Sequence, residues 1–257
     1  ESRLGTDSTT LTIVSDASLA DVPFSALYDS SRKTYLIQRR PVRWAATMAD
    51  AHRASPQAPG ATALVVSSPA LDFRVFPALG PLPGAERETR SVASFFAAPV
   101  VLRGRDADSA SVINALRSAE HLHFAGHAVF DDARPDRSRL ALMPRGIDAS
   151  TISRLDLRQL RLAVLSACET MRAPDRGGAG FTGLAESFLA AGAGGVIGSL
   201  WRVNDDLTDA FMREFYGAWR ASGDAAVALR HAKLKMLQAA DSSRHPSAWA
   251  AFRLAGR

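Results

Sequence analysis

The amino-acid sequence predicts an α/β fold, a three-layer αβα sandwich in which helices flank a mostly parallel central sheet. Short apolar runs alternate with longer segments of helical period along the whole chain, the pattern of strand–helix crossovers. The joints between them, at 54–61, 77–84, 131–138 and 171–180, are too short for an interdomain linker, and no internal repeat is visible, so residues 1–257 read as a single domain. With 47% hydrophobic residues the chain can fill one core, and a charged fraction of 22% is too low for a disordered protein.

Strands are expected at Leu11–Val14, Tyr35–Arg39, Thr62–Ser67, Val100–Leu102, His121–Ala125, Leu162–Ser166 and Gly195–Leu200, where apolar and β-branched residues cluster. Helices are expected near 42–53, 84–97, 109–118, 182–191, 207–220 and 224–239. The strongest helical period places Leu207, Phe211, Phe215, Ala218 and Trp219 on one face.

Charge and composition exclude several functions. The net charge of +5 comes from 31 Lys and Arg against 26 Asp and Glu, and the basic residues are scattered. The pairs Arg39–Arg40 and Arg103/Arg105 lack the interleaved aromatics of a single-strand binder, so solvated faces explain them and no nucleic-acid partner is expected. The sole cysteine, Cys168, rules out an internal disulfide framework and points to a reducing, cytoplasmic setting. The polar opening at Glu1-Ser2-Arg3 is no signal peptide, and the longest uncharged run, Ser187 to Trp201, falls short of the ~20 residues that span a bilayer. No membrane partner is expected. A chain that opens on Glu1 and not methionine reads as part of a longer protein.

Two segments carry chemistry. His121-Leu122-His123-Phe124-Ala125-Gly126-His127 is a strand ending in a Gly-His turn, and Leu162-Ala163-Val164-Leu165-Ser166-Ala167-Cys168 is a buried-type strand ending at the only thiol. Their separation leaves room for a crossover between parallel strands. Were the two strands neighbours, about 4.8 Å apart, both residues would reach the carboxyl edge of the sheet, where open α/β folds build their sites. A thiol titrating at about 8.5 is mostly protonated at neutral pH, and an adjacent imidazole can take its proton and later return it to a leaving amine. The oxyanion of such a reaction needs backbone donors, for which the amide of Cys168 and an amide of the Gly126–Ala128 turn are candidates. An inert packing thiol and a surface imidazole are the competing readings of the same residues.

Several segments in order identify the family. The stretches Leu11–Leu27, Leu82–Glu88 (LPGAERE), HFAGH, SACET, Gly180–Leu189, Ala191–Asp205 and His245–Phe252 resemble the CHAT family of caspase-like (clan CD) peptidase domains, often found beside tetratricopeptide repeats. The resemblance implies a caspase–separase–gingipain type of fold and a cysteine endopeptidase with a Cys–His dyad at Cys168 and His127. It also implies a protein substrate and an upstream repeat or sensor region. Ser166-Ala167-Cys168-Glu169-Thr170 replaces the caspase Gln-Ala-Cys-Arg-Gly, and Ala128 stands where caspases follow the histidine with glycine, which leaves the oxyanion donor open. A caspase-like module without catalysis, acting through partners, is the alternative from another class.

Asp205 and Trp201 enter with the resemblance, and His123 by its place on the strand. Trp201-Arg202-Val203-Asn204-Asp205 resembles the Trp-x-Val-x-Asp segment of separases, which implies Asp205, with Trp201, in a pocket for a basic P1 residue. Against this, Asp205 could simply cap the helix that follows, although Asp206 can fill that role. His123 is expected beneath the dyad; the rival is a metal site of His121, His123 and His127, for which no carboxylate of suitable spacing is present, so neither metal nor cofactor is expected. The GxGxxG pattern of residues 178–183 begins about a dozen residues after its strand, too far for a dinucleotide fingerprint, and reads as a loop over a bound peptide.

Overall fold

The computed structural model describes residues 9–15, 19–52, 62–167, 170–171 and 183–256, with Asp205 described in its backbone only. The chain begins with β1 (Leu11–Val14), a hairpin of β2 (Tyr28–Asp29) and β3 (Thr34–Tyr35), a turn of helix α1 (Leu36–Arg39), then β4 (Val42–Ala45) and α2 (Met48–Ala51). Crossovers follow: β5 (Thr62–Pro69), α3 (Pro83–Ala93), β6 (Ala98–Gly104), α4 (Ser109–Leu116) and β7 (His121–Ala125). A three-stranded antiparallel sheet of β8 (Ala128–Val129), β9 (Arg139–Leu140) and β10 (Ile147–Asp148) precedes α5 (Ala149–Ile152) and β11 (Leu162–Ser166). The remainder is α6 (Leu184–Ala190), β12 (Gly195–Ser199), α7 (Asp205–Ser222), α8 (Ala225–Gln238), α9 (Pro246–Trp249) and β13 (Phe252–Gly256).

The main sheet has eight strands in the order β1-β4-β13-β12-β11-β7-β5-β6. Its pairings are parallel except that β13 runs antiparallel to β12. The sheet separates two cores. One face packs on α4, α5 and α6 through residues such as Val112, Ile152 and Phe188; the other packs on α3, α7 and α8 through Val92, Phe211, Phe215, Trp219 and Leu229. The helical stripe read from the sequence is thus a buried face, with Phe211, Phe215 and Trp219 inaccessible to solvent; each such side chain contributes about 1.5–3 kcal/mol of hydrophobic stabilisation. Helix α7 ends on Gly223, whose φ of 72° closes it in the left-handed conformation, and Asp224 then caps α8 by accepting from the amides of Ala226 and Val227.

The first fifty residues depart from expectation. Residues 36–39, expected as strand, form α1, because Gln38 accepts the Tyr35 amide at 2.8 Å and Ile37 alone of the turn is buried. Residues 42–45, expected as helix, form β4, an interior strand between β1 and β13 that buries Trp44. The alanine-rich composition favoured a helix, and pairing on both sides overrode it.

Candidate active site

Strand β7 owes its place to a side-chain alternation that serves both cores. Leu122 and Phe124 face α4 and α6, while His121 and His123 face α3 and α7. Its neighbour β11 is buried over Leu162–Leu165. The two strands are parallel, with Leu162 opposite His121 and Ser166 opposite Ala125. They end at the same height on the carboxyl edge, and the Gly126 amide, donating to Ser166 O at 3.4 Å, carries the pairing one residue further. His127 follows at once. Cys168 stands two positions after Ser166 in sequence and lies outside the described residues, as do Glu169 and most of the loop to Thr182.

At this edge the surface opens into a groove of about 930 Å³. The loop 78–82 and the first turn of α3 form one wall, Arg202, Val203, Asn204 and Asp206 the other, and Gly126, His127, Ser166, Ala167 and Ser199 line it between them. Ala167 and Ser199 are joined by the Ser199 hydroxyl, which donates to Ala167 O at 2.9 Å, while Thr170 Oγ1 accepts the Ser199 amide at 3.1 Å. Ala167 and Thr170 are therefore both tied to β12. Gly198 makes room for this, since a Cβ there would stand 2.4 Å from Thr170 Oγ1.

His127 Nε2 lies 2.7 Å from the carbonyl oxygen of Gly80. A carbonyl only accepts, so Nε2 carries the proton and Nδ1 keeps its lone pair. The loop 78–82 thus orients the imidazole from its far side, a contact that sequence reading missed because a backbone acceptor has no residue signature. Gly126 is required by close approach, since a Cβ would stand 2.8 Å from the buried Phe124 ring. Of the two turn amides, that of Gly126 is engaged by Ser166 O. Ala128 pairs with Leu140, and because the Ala141 amide donates to His127 O at 2.9 Å this is a non-hydrogen-bonded pair, which turns the Ala128 N–H away from β9.

His123 lies fully buried, its Nδ1 3.1 Å from the Tyr216 hydroxyl and its Nε2 3.2 Å from Glu88 Oε1, the latter too oblique for a hydrogen bond. Burial, with the Glu88 carboxylate beside it, pushes the Tyr216 phenol well above its usual range, so the phenol stays protonated and donates to Nδ1. With Nδ1 accepting, the ring proton of His123 sits on Nε2 and faces Glu88, which itself lines the groove. Sequence reading placed His123 beneath the site but missed both partners. His121 is separately engaged, stacked at 5.7 Å on Phe96 and edge-on at 4.9 Å to Trp219. Among the described residues no three of His, Cys, Asp and Glu converge as a metal set.

On the opposite wall, Asn204 caps α7, its side chain accepting the Asp206 amide at 2.9 Å. The cap considered at Asp205 or Asp206 is thus taken by Asn204, two residues before Asp206, and Asp206 instead pairs with Arg87 of α3. Asp205 occupies the first position of α7, between the groove-lining Asn204 and Asp206. Trp201 is not among the described residues lining the groove; its indole donates to Ser247 O at 2.8 Å and packs between the two cores. No helix of the described residues is long and apolar enough to cross a membrane.

Comparison with known proteins agrees with this fold. The model of the CHAT domain family matches residues 1–257. Tetratricopeptide repeat protein 28 is 28% identical in its human and mouse forms over 96% of this chain, which spans about 12% of their length. Among solved structures, Saccharomyces cerevisiae separase in complex with securin superposes with a TM-score of 0.63 at 13% identity, covering 95% of this chain and 15% of that one. The Arg-specific cysteine proteinase gingipain R superposes with a TM-score of 0.55 at 10% identity, covering 76% and 46%.

Proposed function

The chain belongs to the CHAT domain family, and from that premise we propose that it is a cysteine endopeptidase acting through Cys168 and His127. The observation that carries the reading is the register of β11 on β7: the strand that precedes the only cysteine in sequence and the strand that precedes a pre-oriented imidazole end opposite each other at a groove of about 930 Å³. The caspase-like architecture shared with separase and gingipain supports it.

His127 Nδ1 takes the Cys168 thiol proton, and the thiolate attacks the scissile carbonyl carbon. The oxyanion is held by backbone donors, the Cys168 amide and the Ala128 amide. As the C–N bond breaks, His127 returns the proton to the leaving amine and a thioester remains on Cys168. Water, deprotonated by the same imidazole, adds to the thioester; the acid departs and the thiol is restored. Throughout, Gly80 O keeps Nε2 protonated and steadies the imidazolium.

Asp205, at the rim of the groove and relieved of capping by Asn204, is the residue proposed to favour a basic P1 side chain; Arg87 neutralises the neighbouring Asp206. A peptide library tests the assignment. Cleavage after Arg or Lys should dominate, vanish in Cys168→Ala, and lose its basic preference in Asp205→Ala by about tenfold or more. Cleavage that survives Cys168→Ala would overturn the enzyme reading, and an unchanged profile in Asp205→Ala would overturn the pocket assignment. Absence of cleavage by the full-length protein with every peptide and partner supplied would favour a non-catalytic module.

A further inference from the structure

Beyond the groove, α8, β4, β13 and the segment after β1 line a smaller cavity of about 20 Å³. Phe252 lines both spaces. Three cationic side chains, Arg43, Lys233 and Arg253, line this cavity together with Ser25 and Trp44. Such a convergence of like charges is costly unless something opposes it.

Two of the three have compensation. Arg43 donates to Thr12 Oγ1 at 2.9 Å and Ala51 O at 2.7 Å and feels the field of Asp224. Arg253 donates to Ala20 O, lies 5.9 Å over the Trp44 ring, and feels Glu186 of α6 and Asp21. Lys233 differs. It is 3% exposed, its ammonium gives one hydrogen bond, to Ser25 Oγ at 2.9 Å, and among the described residues no carboxylate forms an ion pair with it. An ammonium has three donors, so two are unanswered by the protein. Burial, reinforced by Arg253, draws its pKa from 10.5 to about 7, which leaves the charged form half-populated at neutral pH and ready to be stabilised by an opposite charge.

We propose that this cavity is a binding site for one small monovalent inorganic anion of halide size, held by the Lys233 ammonium and the Ser25 hydroxyl within the field of Arg253. The volume accommodates a single particle a little larger than water, which favours a halide over phosphate or an organic acid. Bound there, the anion fastens the segment around Ser25 to α8 and β13 at the back of the groove wall formed by Phe252. The site does not depend on the peptidase reading.

Thermal unfolding at pH 7 in sodium chloride, against sodium gluconate of equal ionic strength, tests it. Chloride should raise the midpoint of the wild-type chain by about 2–4 °C, and the difference should shrink at least fourfold in Lys233→Met. An equal chloride response in both proteins, or none in the wild type, would overturn the proposal; the latter is the outcome if the amine stays neutral or a carboxylate of the chain neutralises it. Should Lys233→Met fail to fold, wild-type crystals grown in sodium bromide decide the matter. An anomalous peak beside Lys233 Nζ supports the site, and its absence rejects it.

Discussion

The carbonyl oxygen of Gly80 and the Nε2 of His127, 47 residues apart in the chain, stand 2.7 Å from each other. The contact decides which ring nitrogen can act as a base, because a carbonyl accepts only a protonated nitrogen. The expected consequence is a His127 imidazole held as the Nε2–H tautomer. Long-range ¹H–¹⁵N correlation spectra at pH 8 should show Nδ1 at the unprotonated shift; a protonated Nδ1 would mean that the base faces away from Cys168.

Replacing Tyr216 by Phe removes the donor to His123 Nδ1 and leaves a buried acceptor without a partner. The expected cost is about 1–3 kcal/mol in urea unfolding, with the aromatic contacts of the ring retained. A cost indistinguishable from zero would show that the His123–Tyr216 contact is incidental.

The two strands that lead to the proposed dyad were legible in the sequence because their signal is local. His121–Ala125 and Leu162–Ser166 occur at their expected bounds, the second an apolar run and the first alternating histidine with apolar residues, both buried on two sides. The elements misread were those decided by distant partners. Val42–Ala45 became a strand because β1 and β13 pair with it, and β13 itself, parallel to β4 but antiparallel to β12, had no periodicity to announce it. The site divides the same way. His127 stands out by residue type and position, whereas Gly80 contributes a carbonyl, and Glu88 and Tyr216 reach His123 only through helix packing. Asn204 displaced the expected cap because the chain enters α7 in extended conformation at that residue.

Acid sensitivity follows from His121. Burial foremost, with Arg161 adding to it and Glu120 opposing, lowers its pKa from 6.5 to about 4. Between those values the unfolded chain binds a proton that the folded chain refuses, so this stability is present above about pH 6.5 and is lost as pH falls toward 4. His121→Phe keeps a ring between Phe96 and Trp219 and removes the titration. The wild type should lose on the order of 1–2 kcal/mol more than the variant between pH 7 and pH 5 in urea titrations. Parallel loss in both proteins would contradict the assignment.

The most direct measurement is covalent labelling of the intact protein with a peptidyl acyloxymethyl ketone carrying a P1 arginine, read by mass spectrometry. A thiolate formed by His127 should give stoichiometric modification at Cys168 that falls at least a hundredfold in rate in His127→Ala. Labelling at equal rates with and without the imidazole, or a Cys168 that stays unmodified in the full-length protein with its activating partners, would contradict the account.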